Sequence, residues 1–188
     1  MSILRSATDP AWIAVALSDL DATLGDHAHC EKKAAASALR LVGDHPGRPR
    51  LVRALARLAQ EELKHFLDVL NELQRRGGML PPDQGDPYVQ ALLRLVGSGA
   101  TRLVDQLLVF ALVEARSLER MLLLGGRLPD ERLRELYRRL AQSEAGHEAL
   151  FVELAVEAGG EAVRVRLAGL ADAEARIVAA LPLGPRMH

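Results

Sequence analysis

The stretch SEAGHEALFVEL, residues 143–154, places Glu144 and His147 three apart in a segment whose apolar residues recur with helical spacing. Residues three apart share a helix face, so a carboxylate and an imidazole sit where Leu140, Phe151 and Leu154 mark the buried side. One Glu-x-x-His is commonplace in helices. This chain has a second, Glu62 and His65 in LAQEELKHF, and two further glutamates, Glu31 and Glu114, each at the middle of another apolar-periodic segment. Carboxylate oxygens with a few imidazole nitrogens suit iron or manganese better than thiolate-loving zinc.

Four long helices are needed to carry these groups. Ala, Leu, Arg and Glu dominate the chain while aromatic and β-branched residues are sparse, a composition that favours helix. The breakers divide it. Gly43, Gly77-Gly78, Gly125-Gly126 and Gly159-Gly160 follow periodic segments, where a left-handed C-terminal residue belongs. Pro10, Pro49 and Pro129 fall near segment starts. The expected helices span about 10–16, 18–42, 49–76, 100–124, 130–158 and 160–181, with a short one in PYVQALLRLV. The joins after the first and third long helices are a few residues, whereas the one between the second and third is about twenty. That pattern predicts an all-α bundle, two antiparallel hairpins joined by a long crossover, as a single domain over residues 1–188.

Steps of three and four along each long helix give one seam apiece. They read Leu20, Leu24, His27, Glu31, Ala34, Ala38, Leu41; then Leu51, Leu55, Leu58, Glu62, His65, Val69; then Leu103, Leu107, Phe110, Glu114, Ser117, Met121; then Leu133, Tyr137, Leu140, Glu144, His147, Phe151, Leu154. Glu31 and Glu62 lie 31 residues apart, and Glu114 and Glu144 lie 30 apart. At ~1.5 Å rise per residue, an antiparallel pair with a short turn returns to the same height after such a span. Each hairpin therefore levels one Glu with one Glu-x-x-His, and the six side chains are expected in one layer. Four carboxylates in a low-dielectric interior repel one another, and one unpaired buried charge costs several kcal/mol. Two divalent cations bring +4 against −4, and neutral imidazoles complete the set. Glu61 and Glu119 fall off the seams and are expected at the surface or behind the ligands.

The remaining composition excludes several classes. The net charge is −1, with only three Lys among the basic residues, so no polycation announces nucleic-acid binding. Cys30 alone forms no intrachain disulfide and no Cys cluster for zinc or iron–sulfur. No apolar run reaches the ~20 residues of a membrane span, and MSILRSATDP lacks a signal-peptide core, so a cytoplasmic location is expected.

The strings DHAHCEKKAA, LAQEELKHF, LVDQLLVFALVEARSLER and LAQSEAGHE resemble the bacterial tRNA hydroxylases that act on 2-methylthio-N6-isopentenyladenosine beside the anticodon, over roughly residues 18 to 158. The resemblance implies a ferritin-like bundle with a non-haem di-iron centre that activates O2 and hydroxylates the isopentenyl side chain. It implies Glu31, Glu62, His65, Glu114, Glu144 and His147 as iron ligands; the donor types by themselves leave manganese as the alternative metal. The family pattern has a cysteine in many members where this chain has Leu118 in SLER. Each turnover needs two electrons, and no flavin or nicotinamide fingerprint is present, so an external ferredoxin- or reductase-type donor is implied. His27, Asp26, Asp105 and Arg116 are candidates to support the ligands, against ordinary core histidine and helix salt bridges. Ser117 and the alanines after Glu31 leave room for O2 or a prenyl group, or serve simple close helix packing. RPRLVRALAR, ERLRELYRR and VRVR are arginine-rich and offer phosphate contacts, or merely solvated helix faces. Rival readings are a bacterioferritin-like ferroxidase or iron store, another small-molecule oxidase such as a manganese catalase, and a metal-free helical interaction module.

Overall fold

A computed structural model describes residues 2–188 of the chain. Among these residues it is all-α: α1 (Trp12–Ser18), α2 (Leu20–Asp44), α3 (Pro49–Arg75), α4 (Pro87–Leu93), a 3-10 turn (Gly99–Thr101), α5 (Arg102–Arg127), α6 (Glu131–Gly159) and α7 (Ala162–Ala180). No helix is long and apolar enough to cross a membrane among the described residues. The chain divides into two compact units. One holds Ile13–Gln84 and Gly184–Met187; the other holds the N-terminal stretch through Trp12, Gly85–Leu183 and His188.

In the first unit α2 and α3 pair as a hairpin across the turn 45–48. The Asp19 carboxylate accepts the Ala22 N–H and caps α2, and Pro49 opens α3 where its missing N–H costs nothing. Leu24, Ala28, Ala35, Ala38 and Leu41 of α2 are buried, as are Leu51, Leu55, Leu58, Val69 and Leu73 of α3. At one position of the α2 seam Ala35 rather than Ala34 is fully buried, while Ala38 and Leu41 keep the expected places. After α3, Gly77 adopts φ +84° and Gly78 N–H bonds Leu73 O at 2.9 Å, ending the helix as expected. The chain then returns along α2. His29 Nε2 lies 2.7 Å from Pro81 O, and a side chain at Gly25 would strike the Pro81 ring at 2.7 Å.

In the second unit α5 and α6 form the other hairpin, with Asp130 accepting the Arg132 and Leu133 N–H groups to start α6. Here α4, α7 and the N-terminal stretch also pack, so α5 is buried on far more than one seam: Leu108, Val109, Ala111, Leu112, Arg116 and Arg120 join the expected residues. Tyr88, Leu92 and Val109 form a satellite core with Ile177, Val178 and Leu181.

Two glycine expectations are corrected. Gly43 and Gly125-Gly126 lie inside helices, and neither site has a positive φ. At Gly125 a Cβ would meet Arg138 on α6 at ordinary contact distance, 3.4 Å from Cγ and 3.6 Å from N. The first helix begins two residues later than expected, because Asp9 forms a turn that accepts the Ala11 N–H on its side chain and the Trp12 N–H on its carbonyl.

Candidate metal centre

Each unit brings one Glu and one Glu-x-x-His together. On the first hairpin, His65 Nδ1 lies 3.4 Å from Glu62 Oε2 and 3.6 Å from Glu31 Oε2. On the second, His147 Nδ1 lies 3.4 Å from Glu144 Oε2, and Glu114 completes the group. Within each triad, one ligand atom from every residue falls within 4.8 Å of the others, and all six side chains are buried. Glu62 is 0% exposed and Glu144 1%.

These separations test the fit of a metal. An N–H···O hydrogen bond closes to ~2.7–3.2 Å. Two donors bonded to one first-row metal at ~2.1 Å, with roughly 90–110° between them, stand ~3.0–3.4 Å apart. The two Glu-x-x-His pairs, at 3.4 Å, stand at the upper end of the second range, and His65–Glu31, at 3.6 Å, lies just beyond it. Two carboxylates with one imidazole in a buried pocket are also an oxygen-rich donor set whose negative charge a cation offsets. Each triad fits a metal ion.

His27 stands one turn before Glu31, with its Nε2 2.6 Å from Glu31 Oε1 and both side chains buried. The contact orients the Glu31 carboxylate from within its own helix. Asp26 accepts the Met187 N–H at 2.8 Å and the Cys30 thiol at 3.8 Å, so it anchors the segment at 184–187.

The partners of Asp105 and Arg116 lie elsewhere. Asp105 accepts from Gly97 N and from Arg166 Nε at 2.7 Å, tying the start of α5 to α7. Burial pushes its carboxyl up, but the hydrogen bonds from Arg166 and Gly97 outweigh that and leave it below the ordinary aspartate value. Arg116, fully buried, makes a bidentate pair with the equally buried Glu174, donating Nε to Oε1 at 3.0 Å and Nη2 to Oε2 at 3.1 Å, and also bonds Glu119, Thr8 and Ser6 O. Burial opposes the Arg116 charge, yet the Glu174 carboxylate more than compensates and its pKa rises. Glu119 accordingly faces this clamp, taking the Thr8 hydroxyl at 2.6 Å, and Glu61 is exposed.

Sequence reasoning missed three buried groups of the second unit. Glu174 was hidden because its partner is 58 residues away. Tyr88 donates its hydroxyl to Glu174 at 3.0 Å, and burial followed by the Glu174 charge holds its pKa well above the usual value. His188 stacks on Tyr88 with ring centroids 5.1 Å apart; its Nδ1 lies 3.0 Å from Asp86 Oδ2 and its Nε2 2.8 Å from Ser117 Oγ. Ser117 is one turn from Glu114 on the same seam. No periodicity flags a histidine beyond the last helix.

Comparisons with known proteins bear on the whole chain. The family model described as tRNA-(MS2IO6A)-hydroxylase (MiaE) matches residues 1–188. A Pseudomonas putida protein named tRNA 2-(methylsulfanyl)-N(6)-isopentenyladenosine(37) hydroxylase is 41% identical over 162 residues, which are 86% of this chain and 78% of that one. A Salmonella typhimurium protein of the same name is 27% identical over 228 residues, covering 95% of this chain and 84% of that one. Among solved structures, a Synechococcus protein described as protein 43 with aldehyde deformylating oxygenase activity matches with a TM-score of 0.94 and 39% identity, over 100% of this chain and 96% of that one. The fold class is ferritin-like and all-α.

Proposed function

Because this chain belongs to the tRNA-(MS2IO6A)-hydroxylase family, we propose that it is an O2-dependent monooxygenase that hydroxylates the isopentenyl side chain of 2-methylthio-N6-isopentenyladenosine in tRNA, next to the anticodon. Residues 1–188 act as one catalytic domain. Glu31, Glu62 and His65 from one hairpin, with Glu114, Glu144 and His147 from the other, hold a pair of iron ions. The observation that carries the reading is the family match over the whole chain together with a buried Glu, Glu-x-x-His triad on each hairpin. When bound, the iron pair supplies the activation of O2 needed to insert one oxygen atom into an unactivated C–H bond. The balance is R–H + O2 + 2e⁻ + 2H⁺ → R–OH + H2O, so two electrons per turnover come from an external ferredoxin- or reductase-type donor. The cytoplasm, where tRNA is modified, is the place of action.

The chain's own residues supply position and dryness. His27 holds Glu31 through the 2.6 Å contact. Leucines above and below the carboxylates on each seam, Leu24 and Leu58 on the first hairpin and Leu107 and Leu140 on the second, are at most 2% exposed and exclude water. Ala35, Ala115 and Ser117 are small buried residues within about one turn of the ligands, where short side chains suit a prenyl chain. His188 and Asp86 hold the Ser117 hydroxyl at a fixed orientation.

The test is mass spectrometry of tRNA nucleosides from a strain that makes the isopentenylated precursor but lacks this protein. Disappearance of the hydroxylated nucleoside with accumulation of its precursor supports the assignment. An unchanged nucleoside profile refutes it.

A further inference from the structure

Three arginine-rich strings stand out in the sequence, and the structure separates them by what each arginine is bonded to. On α6, Arg134 pairs with Glu131, and Arg138 lies 3.5 Å from Glu131 and 3.9 Å from Glu135. On α7, Arg164 lies 3.9 Å from Glu161, and Arg166 is committed to Asp105 at 2.7 Å and to Leu95 O. Each of these arginines has an acidic partner within the chain, a buried one for Arg166 and solvent-exposed ones for Arg138 and Arg164. The string on α3 differs. Residues 45–60 contain Arg48, Arg50, Arg53 and Arg57 and no Asp or Glu. Arg48, Arg53 and Arg57 enter no ion pair among the described residues. Asp44, the nearest preceding acid in sequence, pairs with Arg40 at 3.8 Å.

Arg50, Arg53 and Arg57 are spaced three and four apart, so they form one row along the outer face of α3. With Pro49 and Ala54 they line a shallow open groove of about 470 Å³. Like charges at this spacing repel by a few tenths of a kcal/mol per pair, and cations near a helix start oppose its dipole. A local arrangement that costs folding energy and gains no internal partner for Arg53 and Arg57 calls for an external anion. Arginine presents a planar fork that matches phosphate oxygens.

We propose that the Arg50–Arg53–Arg57 row is the surface on which this protein grips the phosphodiester backbone of its RNA substrate. The proposal rests on the tRNA-hydroxylase assignment and adds where the polyanion lies: along the outer face of the helix whose inner face carries Glu62 and His65. The row touches backbone only. It supplies affinity, and base identity is read elsewhere.

The test compares wild type, R50Q/R53Q/R57Q, and a charge-matched control, R132Q/R134Q/R138Q on α6. Each is measured for binding to a transcribed tRNA anticodon stem–loop as a function of salt, and for hydroxylation of tRNA isolated from a strain lacking the protein. Circular dichroism and iron content confirm that each variant is folded. The α3 variant is expected to bind at least about tenfold more weakly at physiological salt. Its log–log salt slope is expected to be shallower by about 2–3, since each phosphate that an arginine neutralises adds roughly 0.7–0.9 to the slope. Its turnover at saturating tRNA stays near wild type, and the α6 control changes little. Wild-type affinity and slope in the α3 variant, while wild type hydroxylates tRNA, overturns this inference alone. Equal losses in both variants overturn it too, since net charge then explains the effect. So does unchanged RNA binding with slower electron delivery, which assigns the row to an acidic redox partner. Failure of wild type to hydroxylate tRNA at all refutes the functional assignment itself.

Discussion

In the first hairpin Glu31 is oriented from its own helix, by His27 one turn away; in the second, Glu114 rides on a helix that is clamped from outside. Two residues beyond Glu114, Arg116 reaches Glu174 on α7, Thr8 and Ser6 O of the N-terminal stretch, and Glu119. Tyr88 of α4 closes the same network. Arg120, one turn further, lies 4.9 Å over the Trp12 ring, and burial with the nearby Arg116 charge lowers its pKa to about 10. The triads are alike in composition, yet one is supported by a local hydrogen bond and the other by a buried ion cluster assembled from four parts of the chain. A local contact forms as soon as the helix does. A buried ion pair is worth keeping only when its geometry and remaining hydrogen bonds are complete, so the second support is the more fragile one.

Substitutions at four places sharpen that contrast. The largest effect is expected at the carboxylates themselves. Glu62→Ala and Glu144→Ala should each abolish hydroxylation, by at least about a thousandfold, and lower bound iron; retention of two irons per chain in either variant would remove that residue from the ligand set. Next is the clamp. Arg116→Met leaves Glu174 buried without its cation and should destabilise the fold by about 3–5 kcal/mol, read by urea denaturation. The double variant R116M/E174L should recover much of that stability, whereas additive effects would show that the pair is not one unit.

His27→Ala should act on the metal rather than on the fold. Removing an outer hydrogen bond typically weakens metal affinity or activity by about 10–100-fold, and His27→Gln should restore part of it. A variant that unfolds but binds iron normally would contradict the role. The smallest effect concerns Asp105, whose folded pKa is depressed by Arg166 and Gly97 against the pull of burial. Its stabilising contribution is therefore fully present above the ordinary value of 3.8 and is lost as pH falls through the lower folded value. Asp105→Asn should cost about 1 kcal/mol at neutral pH and flatten the acid limb of the stability profile. An unchanged acid limb would mean the Arg166 contact does not persist in solution.

Much of this molecule is legible in its residues alone. Seven helices and the long crossover are expected from breakers and periodicity, and the observed bounds differ by a few residues. Glu31, Glu62, His65, Glu114, Glu144 and His147 stand out because they are charged or polar groups interrupting apolar seams, and all six are buried. The failures share a cause. Residue type alone marks Gly43 and Gly125 as helix ends, but α2 continues to Asp44 and α5 to Arg127. The strings around Glu114 leave Asp105 and Arg116 open between support of that carboxylate and ordinary salt bridges, and their partners Arg166 and Glu174 lie 61 and 58 residues distant.

The sequence by itself determined which helices form and which face of each carries the donors, because both are set by residues three or four apart. It also determined the hairpin register, since chain length along a helix converts directly to height. Only the tertiary structure decided what stands behind the ligands, which arginines are neutralised and which face solvent, and that α5 is covered on more than its seam. Those outcomes depend on which distant side chains meet in space, and one-dimensional spacing carries no record of that.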